Sequence, residues 1–529
     1  MESEIHMAES RTKKTVRNTI FSFAYKLCDT VMAFLLRTLF IRALGMTYLG
    51  LSGLFTNILT VLSLMELGVG SAIVFSLYEP LAVGDHAKVV TLMQLYKRVY
   101  NIIGVLICVI GAALTPFLHY IVNLPQNIDG LYLIYWITIA NTSVTYFLSY
   151  RRSLLIADQR SDINTQNLIL FRFIRFFLQS VVLLLFHNYL LFLIVDVILT
   201  LMSNIHVSYL ILKRYPYLKK TAPEVLSRDQ KRNLLKYMSS GILSRIGQTV
   251  VNCSDNILIS AFISTVLVGV YSNYSMVTSN LDILVYMLFN GVTASVGNFA
   301  VNKSKNEAEA LFRKINYVNY GVSYCITTSL FALFSPFVTI WVGSDYLLSD
   351  ITIAVVTLNF YITISQKSLE SFMGAVGELF YYNRYRSIIE AISNLLVSVL
   401  LVKYTNLGIT GVFLGTTVCF VLGRIWMDAR TLYRHWFSMS VKSYYFKYFL
   451  RMGFTAATAL LFRLLSNAIF ACLGLNVFTF ILTGCVTMSI SLLLFWGTSF
   501  TTEEYLYYRD LVRKKLGTIR KNDFFAKEK

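Results

Sequence analysis

The sequence predicts an all-α membrane protein with about 14 transmembrane helices, arranged as two pseudo-symmetric six-helix bundles followed by a C-terminal helix pair. Three observations predict it. Of 529 residues, 56% are hydrophobic, 15% aromatic and only 14% charged, a balance that a soluble globular chain does not reach. Apolar windows of about 20 residues, enough for one bilayer crossing, recur between short polar or basic turns. The sequence also echoes itself at a shift of about 220 positions, an arrangement expected of transporters built from internal repeats.

Taken in order, the windows begin near residues 18, 48, 92, 130, 164, 190, 234, 267, 315, 350, 386, 408, 447 and 475. Of the 47 Lys and Arg residues, 38 fall on one side of these windows, only Arg42 and Lys403 on the other, and seven within them. By the positive-inside rule both termini face the cytoplasm, which requires an even number of spans. The net charge of +19 is therefore topological and does not indicate a nucleic-acid partner. The outer loops are too short to form a domain. These features divide the chain into a cytoplasmic tail (1–16), a first six-helix bundle (17–214), a basic linker (215–232), a second bundle (233–437), the last two spans (438–500) and a basic tail (501–529) suited to an anionic inner leaflet. No cleavable signal peptide is expected, since the first apolar stretch continues without a small-residue cleavage site.

The repeat rests on ordered matches. At a shift of 219, Lys26 falls on Arg245 and Leu49-Gly50 on Val268-Gly269; at 220, Pro116-Phe117 falls on Pro336-Phe337; near 223, Gly68-Val69 falls on Gly291-Val292. Six spans per half is an even number, so the halves share one orientation, and transporters of this design carry substrate between their halves.

Two equivalent spans are conspicuously polar. In the first, Lys26 and Arg37 are eleven positions apart and point within about 20° of each other, with Asp29 close by. In the seventh, Arg245, Gln248, Thr249, Asn252 and Asn256 form one stripe. A charge at the bilayer centre costs about 2.5–3.5 kcal/mol, so such stripes face a wet cavity or serve as hydrogen-bonding glue between helices. Arg172, Arg175 and Gln179 share a face of the fifth span, as a third cavity wall or as arginines snorkelling to the surface. Several guanidinium and ammonium groups in one cavity suit a phosphate or pyrophosphate. The acids within spans (Asp29, Glu66, Asp196, Asp255, Asp282, Glu370 and Glu390) balance the cations in number. Asp29, Glu66 and Asp255 are the candidates for carrying a coupling ion. The substrate-binding candidates are thus Lys26, Arg37, Arg172, Arg175, Arg245, Asn252 and Asn256.

No cofactor or metal is expected. All seven cysteines lie in apolar segments without paired spacing and read as buried thiols, and the six histidines make no H-x-x-H pair. There is no Walker A sequence and no Gly-rich dinucleotide loop.

Several stretches together resemble the bacterial polysaccharide-biosynthesis transporters, which move lipid-linked oligosaccharides and belong to the multidrug/oligosaccharidyl-lipid/polysaccharide exporter superfamily. They are RALGMTYLGLSGLF (42–55), LMELGVGSAI (64–73), FSLYEPLA (75–82), KRYPYL (213–218), NLLVS (394–398) and GITGVFLGT (408–416). The resemblance implies two bundles in a V around a central cationic cavity, alternating access, and an undecaprenyl diphosphate bearing a sugar repeat unit as substrate. It also implies a role in surface polysaccharide synthesis beside a polymerase and glycosyltransferases, and a lipid groove at the last two spans. It assigns no individual binding residue. The competing expectations are an ion-coupled drug or cation antiporter of the same superfamily, which needs acidic walls, and a flippase for a peptidoglycan or teichoic-acid precursor. A membrane glycosyltransferase or polymerase is disfavoured, because the outer loops offer only Asp129, Asp345 and Asp350 for catalysis.

Overall fold

The computed structural model describes residues 2–66, 69–124, 128, 130–224, 232, 242–302, 304–376 and 385–513, with side chains in helices described except at 2–24, 65, 71, 242–245, 290, 292–295 and 297–302. Among these residues there is no strand. The chain divides into two units, Met1–Ser272 and Asn273–Lys529.

The first unit contains α1 (Glu2–Leu62), α2 (Val69–Val83), α3 (His86–Leu114, continuing by a tighter turn to Ile121), α4 (Leu131–Ser149), α5 (Arg152–Ala157), α6 (Ser161–Leu185), α7 (Tyr189–Arg214), α8 (Ile242–Phe262) and the beginning of α9 (Thr265–Asn302). The second holds the remainder of α9, then α10 (Lys305–Trp341), α11 (Asp350–Ser365), α12 (Lys367–Ala375), α13 (Arg386–Tyr404), α14 (Ile409–Phe437), α15 (Lys442–Leu473) and α16 (Val477–Ser499). Nine helices among the described residues are long and apolar enough to cross a membrane: α3, α4, α6, α7, α10, α13, α14, α15 and α16. The remaining expected windows coincide with α1, α8, α9 and α11. The first two share α1, which breaks without a loop at Gly45, where φ 81° and ψ 179° suit only glycine.

The repeat is visible in the element boundaries. Helices begin at His86 and Leu131, and again 219 positions on at Lys305 and Asp350. Several helix starts are capped by side chains, which satisfy N–H groups that lipid cannot. The Asp85 carboxylate accepts from Lys88 N at 2.9 Å, and Asn188 Oδ1 accepts from Leu191 N at 3.0 Å. Before α10, Ser304 and Glu307 cap each other reciprocally.

In the first unit, α1 packs on α6 and α8, and its segment after Gly45 meets the beginning of α9. Gly50 and Gly269, equivalent by the 219-residue shift, lie backbone to backbone: a Cβ on Gly50 would overlap the Thr265 carbonyl, and one on Gly269 the Met46 carbonyl. Small residues allow this approach between membrane helices. In the second unit α10 is the central helix, with 67% of its apolar window buried against 22% for α15 and α16. These last two pack on α10. The buried face of α16 is Thr479, Thr483, Thr487 and Ser491, one small hydroxylated residue every four positions. Ser491 bonds Thr328 at 2.9 Å, and Ser466 of α15 donates to the Ala332 carbonyl at 3.0 Å.

One expectation is corrected. Cys253, Cys325 and Cys419 are buried, but Cys28, Cys472 and Cys485 are exposed, although all seven are free thiols. The outer surface of a membrane helix is as apolar as its packed face, so an apolar neighbourhood in sequence does not imply burial in protein.

Two outcomes follow from this packing. Gly50→Ala forces the α1 and α9 backbones apart and is expected to destabilise the purified protein by about 1–3 kcal/mol, seen as a lower melting temperature in detergent. Thr487→Leu should cost a similar amount by wedging α16 from α10, whereas Leu493→Ala, at an exposed position on α16, should leave the melting temperature nearly unchanged.

Candidate functional site

Helices α1, α4, α6 and α7 bring a set of charges together at membrane depth in the first unit. Asp29 on α1 is shared by two cations: Lys26, one turn before it, at 3.3 Å, and Arg172 Nε of α6 at 2.7 Å. One carboxylate therefore serves two positive groups, and the trio carries a net charge of +1. One turn along α6, Arg175 Nε lies 3.2 Å from Asp196 of α7 and its Nη2 donates to Thr200 at 2.9 Å. Asp196 is saturated by further donors, Asn141 at 2.6 Å and Gln179 at 3.3 Å. This second group is neutral, and Asp196 accepts from two amides beside its arginine.

Both arginines line a cavity of about 400 Å³. Its other walls are hydroxyls and amides (Ser52, Thr56, Thr60, Thr138, Asn141) and the stacked rings of Tyr189 and Phe192. A second cavity of about 340 Å³ shares Asn141, Thr142, Arg175 and Asp196 with the first and reaches Glu66. Glu66 terminates a line of hydroxyls: Ser153 donates to Tyr96 at 3.0 Å, Tyr96 to Tyr100 at 2.7 Å, and Tyr100 to the Glu66 carboxylate. Such a line can pass a proton between the carboxylate and α5 by concerted reorientation of O–H groups.

The residues expected from the sequence are distributed as follows. Lys26, Asp29 and Arg172 form one cluster, with Arg175 beside it in the cavity wall. Arg37 is placed elsewhere: its guanidinium donates to Ser272 Oγ on α9, which in turn donates to the Gly269 carbonyl at 2.7 Å. It thus ties α1 to α9 close to the glycine contact. On α8, Asn252 is exposed, and Asp255 and Asn256 are half-buried. The Arg245 side chain lies outside the described residues. Asp196, the acceptor that organises Arg175, Gln179 and Asn141, was counted among the acids but not singled out. Its signal was present, as a lone carboxylate in an apolar helix requires a partner and Arg175 requires the same. In the second unit two of the three span acids are paired, with Lys367 lying 2.9 Å from Asp282 and 3.5 Å from Glu370, while Glu390 is buried. Among the described residues no group of three or more His, Cys, Asp or Glu side chains is arranged to hold a metal.

Comparison with known proteins places this geometry. No curated protein matches the sequence significantly. Among solved structures, the lipid II flippase MurJ in an inward closed conformation superposes with a TM-score of 0.63 at 15% identity, over 93% of this chain and 100% of that one. An inward-facing multidrug resistance MATE family transporter of the MOP superfamily gives 0.59 at 15% identity, over 76% and 94%. The Vibrio cholerae MATE transporter VcmN gives 0.55 at 15%, over 81% and 98%. At such identities the likeness establishes the fold, which this chain shares with these three proteins. Residues 15–294 match the family model described as polysaccharide biosynthesis protein, a stretch that contains every site residue expected from the sequence. The match covers more than half of the chain, which therefore belongs to the polysaccharide biosynthesis protein family.

Proposed function

We propose that the protein is a flippase that carries a polyprenyl-diphosphate-linked oligosaccharide, with undecaprenyl as the lipid, across the bacterial cytoplasmic membrane for surface polysaccharide synthesis. Both termini then lie in the cytoplasm, and glycosyltransferases and a polymerase act before and after it. The observation that carries this reading is the net positive Lys26–Asp29–Arg172 trio at membrane depth, opening through Arg172 onto a cavity walled by hydroxyls, amides and aromatic rings.

The two halves of such a substrate need different surfaces. A diphosphate needs mobile cationic donors, and Arg172, held by a shared carboxylate, can exchange Asp29 for a phosphate oxygen at little cost in desolvation. A sugar needs hydroxyl and amide partners and an aromatic face, which the 400 Å³ cavity supplies. Arg37, Arg245, Asn252 and Asn256 remain proposed contributors on α1 and α8. Glu66, at the end of its hydroxyl line, is the proposed coupling group, ahead of Asp29 and Asp255. That line also favours an ion-coupled antiporter as the second reading. The pairing of Asp29 and Asp196 with arginines speaks against it, since a cation substrate would find those carboxylates occupied. A flippase for a peptidoglycan or teichoic-acid precursor uses the same chemistry and differs in the sugar.

The deciding measurement is the identity of the lipid-linked sugar that accumulates on the inner leaflet when the protein is removed. A polysaccharide repeat unit supports the proposal, whereas no accumulation together with increased drug sensitivity supports the antiporter. Arg172→Ala should reduce export at least tenfold while membrane insertion is unchanged, and Arg172→Lys should restore part of it. Normal surface polysaccharide in Arg172→Ala cells would remove Arg172 from the site. Glu66→Gln should abolish the response of transport to an imposed pH gradient in proteoliposomes, with Tyr100→Phe giving a smaller loss. An unchanged gradient response in Glu66→Gln would transfer the coupling role to another acid.

A further inference from the structure

A second polar pocket lies in the other unit, unconnected with the charges discussed so far. Its walls come from the start of α10, the end of α11, the end of α14, the start of α15 and the segment after α16, and its volume is about 220 Å³. Five tyrosines line it (Tyr320, Tyr361, Tyr433, Tyr444 and Tyr448), and all but Tyr320 are buried. Two of their hydroxyls are held by neighbours: Tyr448 bonds Ser365 at 3.0 Å and Tyr444 donates to Gln366 at 3.4 Å.

The charges in this pocket are unevenly matched. Arg313 is engaged by Glu309 at 3.1 Å and by Glu503 at 3.6 Å. Lys447 and Arg451, one turn apart on α15, make no ion pair within 4 Å among the described residues. The Arg451 guanidinium lies 4.7 Å from the Tyr320 ring centre, which holds its plane without neutralising it. The lining residues alone, three cations against Glu309 and Glu504, carry a surplus of one positive charge, and Glu503, which reaches Arg313 from outside the lining, is 85% exposed to solvent. That suits a singly charged phosphodiester: a guanidinium fork for two oxygens, an ammonium beside it and tyrosine hydroxyls within reach. A diphosphate would be left with uncompensated negative charge.

The mouth of the pocket identifies the kind of molecule. Lys447 is exposed at the rim, and Phe446 and Leu450, which flank it on α15, are 72% and 63% exposed. An apolar strip of about one turn thus runs from the cationic rim along the outside of a membrane helix. The helix ends that converge here carry much of the chain's Lys and Arg, the signature of the membrane face richer in anionic lipid.

We propose that this pocket holds the phosphodiester headgroup of an anionic glycerophospholipid, with its acyl chains along Phe446 and Leu450. The site is separate from that of the transported substrate and does not depend on the flippase reading. Bound there, the lipid joins α10, α14 and α15 through one headgroup and makes the second unit sensitive to leaflet composition.

The test is native mass spectrometry of the full-length protein released from detergent, titrated with dioctanoyl phosphatidylglycerol, dioctanoyl phosphatidylcholine and the tail-free glycerophosphoglycerol. Phosphatidylglycerol should bind, phosphatidylcholine at least tenfold more weakly, and glycerophosphoglycerol should not displace the lipid at equal concentration. The Lys447→Ala/Arg451→Gln double variant should lose at least tenfold in phosphatidylglycerol affinity, while Lys442→Ala, outside the pocket on the same helix, should not. Because the double variant removes two charges at a packed helix start, Glu504→Gln serves as an independent arm. It removes an acid from the lining and should tighten phosphatidylglycerol binding severalfold. Equal binding by wild type, the double variant and Glu504→Gln overturns the proposal, as does phosphatidylcholine binding as tight as phosphatidylglycerol. Displacement by glycerophosphoglycerol overturns the lipid assignment in favour of a soluble phosphodiester.

Discussion

Hydrocarbon offers a charge no partner, and this constraint governs the interior of the first unit. Arg172 is met there by Asp29, Arg175 by Asp196 and Arg37 by Ser272, each across helices, while Lys26 meets Asp29 on its own helix. These contacts do more than neutralise. They join α1 to α6, α6 to α7 and α1 to α9, so the polar groups that can handle an anionic substrate also fix the helices around the cavity. The difference between the two arginines of α6 follows from the same accounting. Asp196 is surrounded by three donors and holds Arg175 in place, whereas Asp29 is divided between Lys26 and Arg172 and leaves a positive remainder.

Much of the architecture was legible in the sequence because hydropathy and cap residues are local signals. The starts of α4 and α11 fall where the apolar windows begin, near 130 and 350, whereas α3 and α10 begin six and ten residues ahead of their windows near 92 and 315, at polar turns where Asp85 and Ser304 cap them. The Gly50/Gly269 match, found as an alignment of letters, turned out to be a physical contact. Other features depend on tertiary structure and were less legible. The angular argument put Lys26 and Arg37 on one stripe, but a common face over three turns does not mean a common partner, and the two meet different helices. Asp196 lies on a helix with no other charge until its basic end, so periodicity gave it no companions, and its importance appears only when α7 packs beside α6. The cysteines misled for the reason that governs all membrane interiors: lipid and protein core are equally apolar, and composition cannot distinguish Cys28 or Cys485 at the lipid surface from Cys325 in the core.

The last two spans are attached by a different chemistry. Along α16 the fully buried residues are threonine and serine, while the leucines, Phe478 and Trp496 are exposed, the inverse of a soluble amphipathic helix. Where solvent is apolar, leucine gains nothing by turning inward, and close backbone approach with shared hydroxyls becomes the adhesive. The pair thereby covers α10, the most enclosed of the long apolar spans described in its unit, and α15 supplies two of the cations and the outward apolar strip of the tyrosine pocket.

The break at Gly45 gives the first span an unusual mechanical property. With no loop between the two halves of α1, the angle between them is set by the dihedrals of a single residue, and the segment before it is a rigid lever. Lys26 is nineteen residues from that pivot, about 28 Å at 1.5 Å per residue, so a rotation of only about 10° there displaces the lysine and its neighbour Asp29 by roughly 4–5 Å. That distance is greater than the margin of an ion pair. A small change in the backbone of one glycine is therefore sufficient to take Asp29 out of reach of Arg172, converting a bending angle into the release of an arginine.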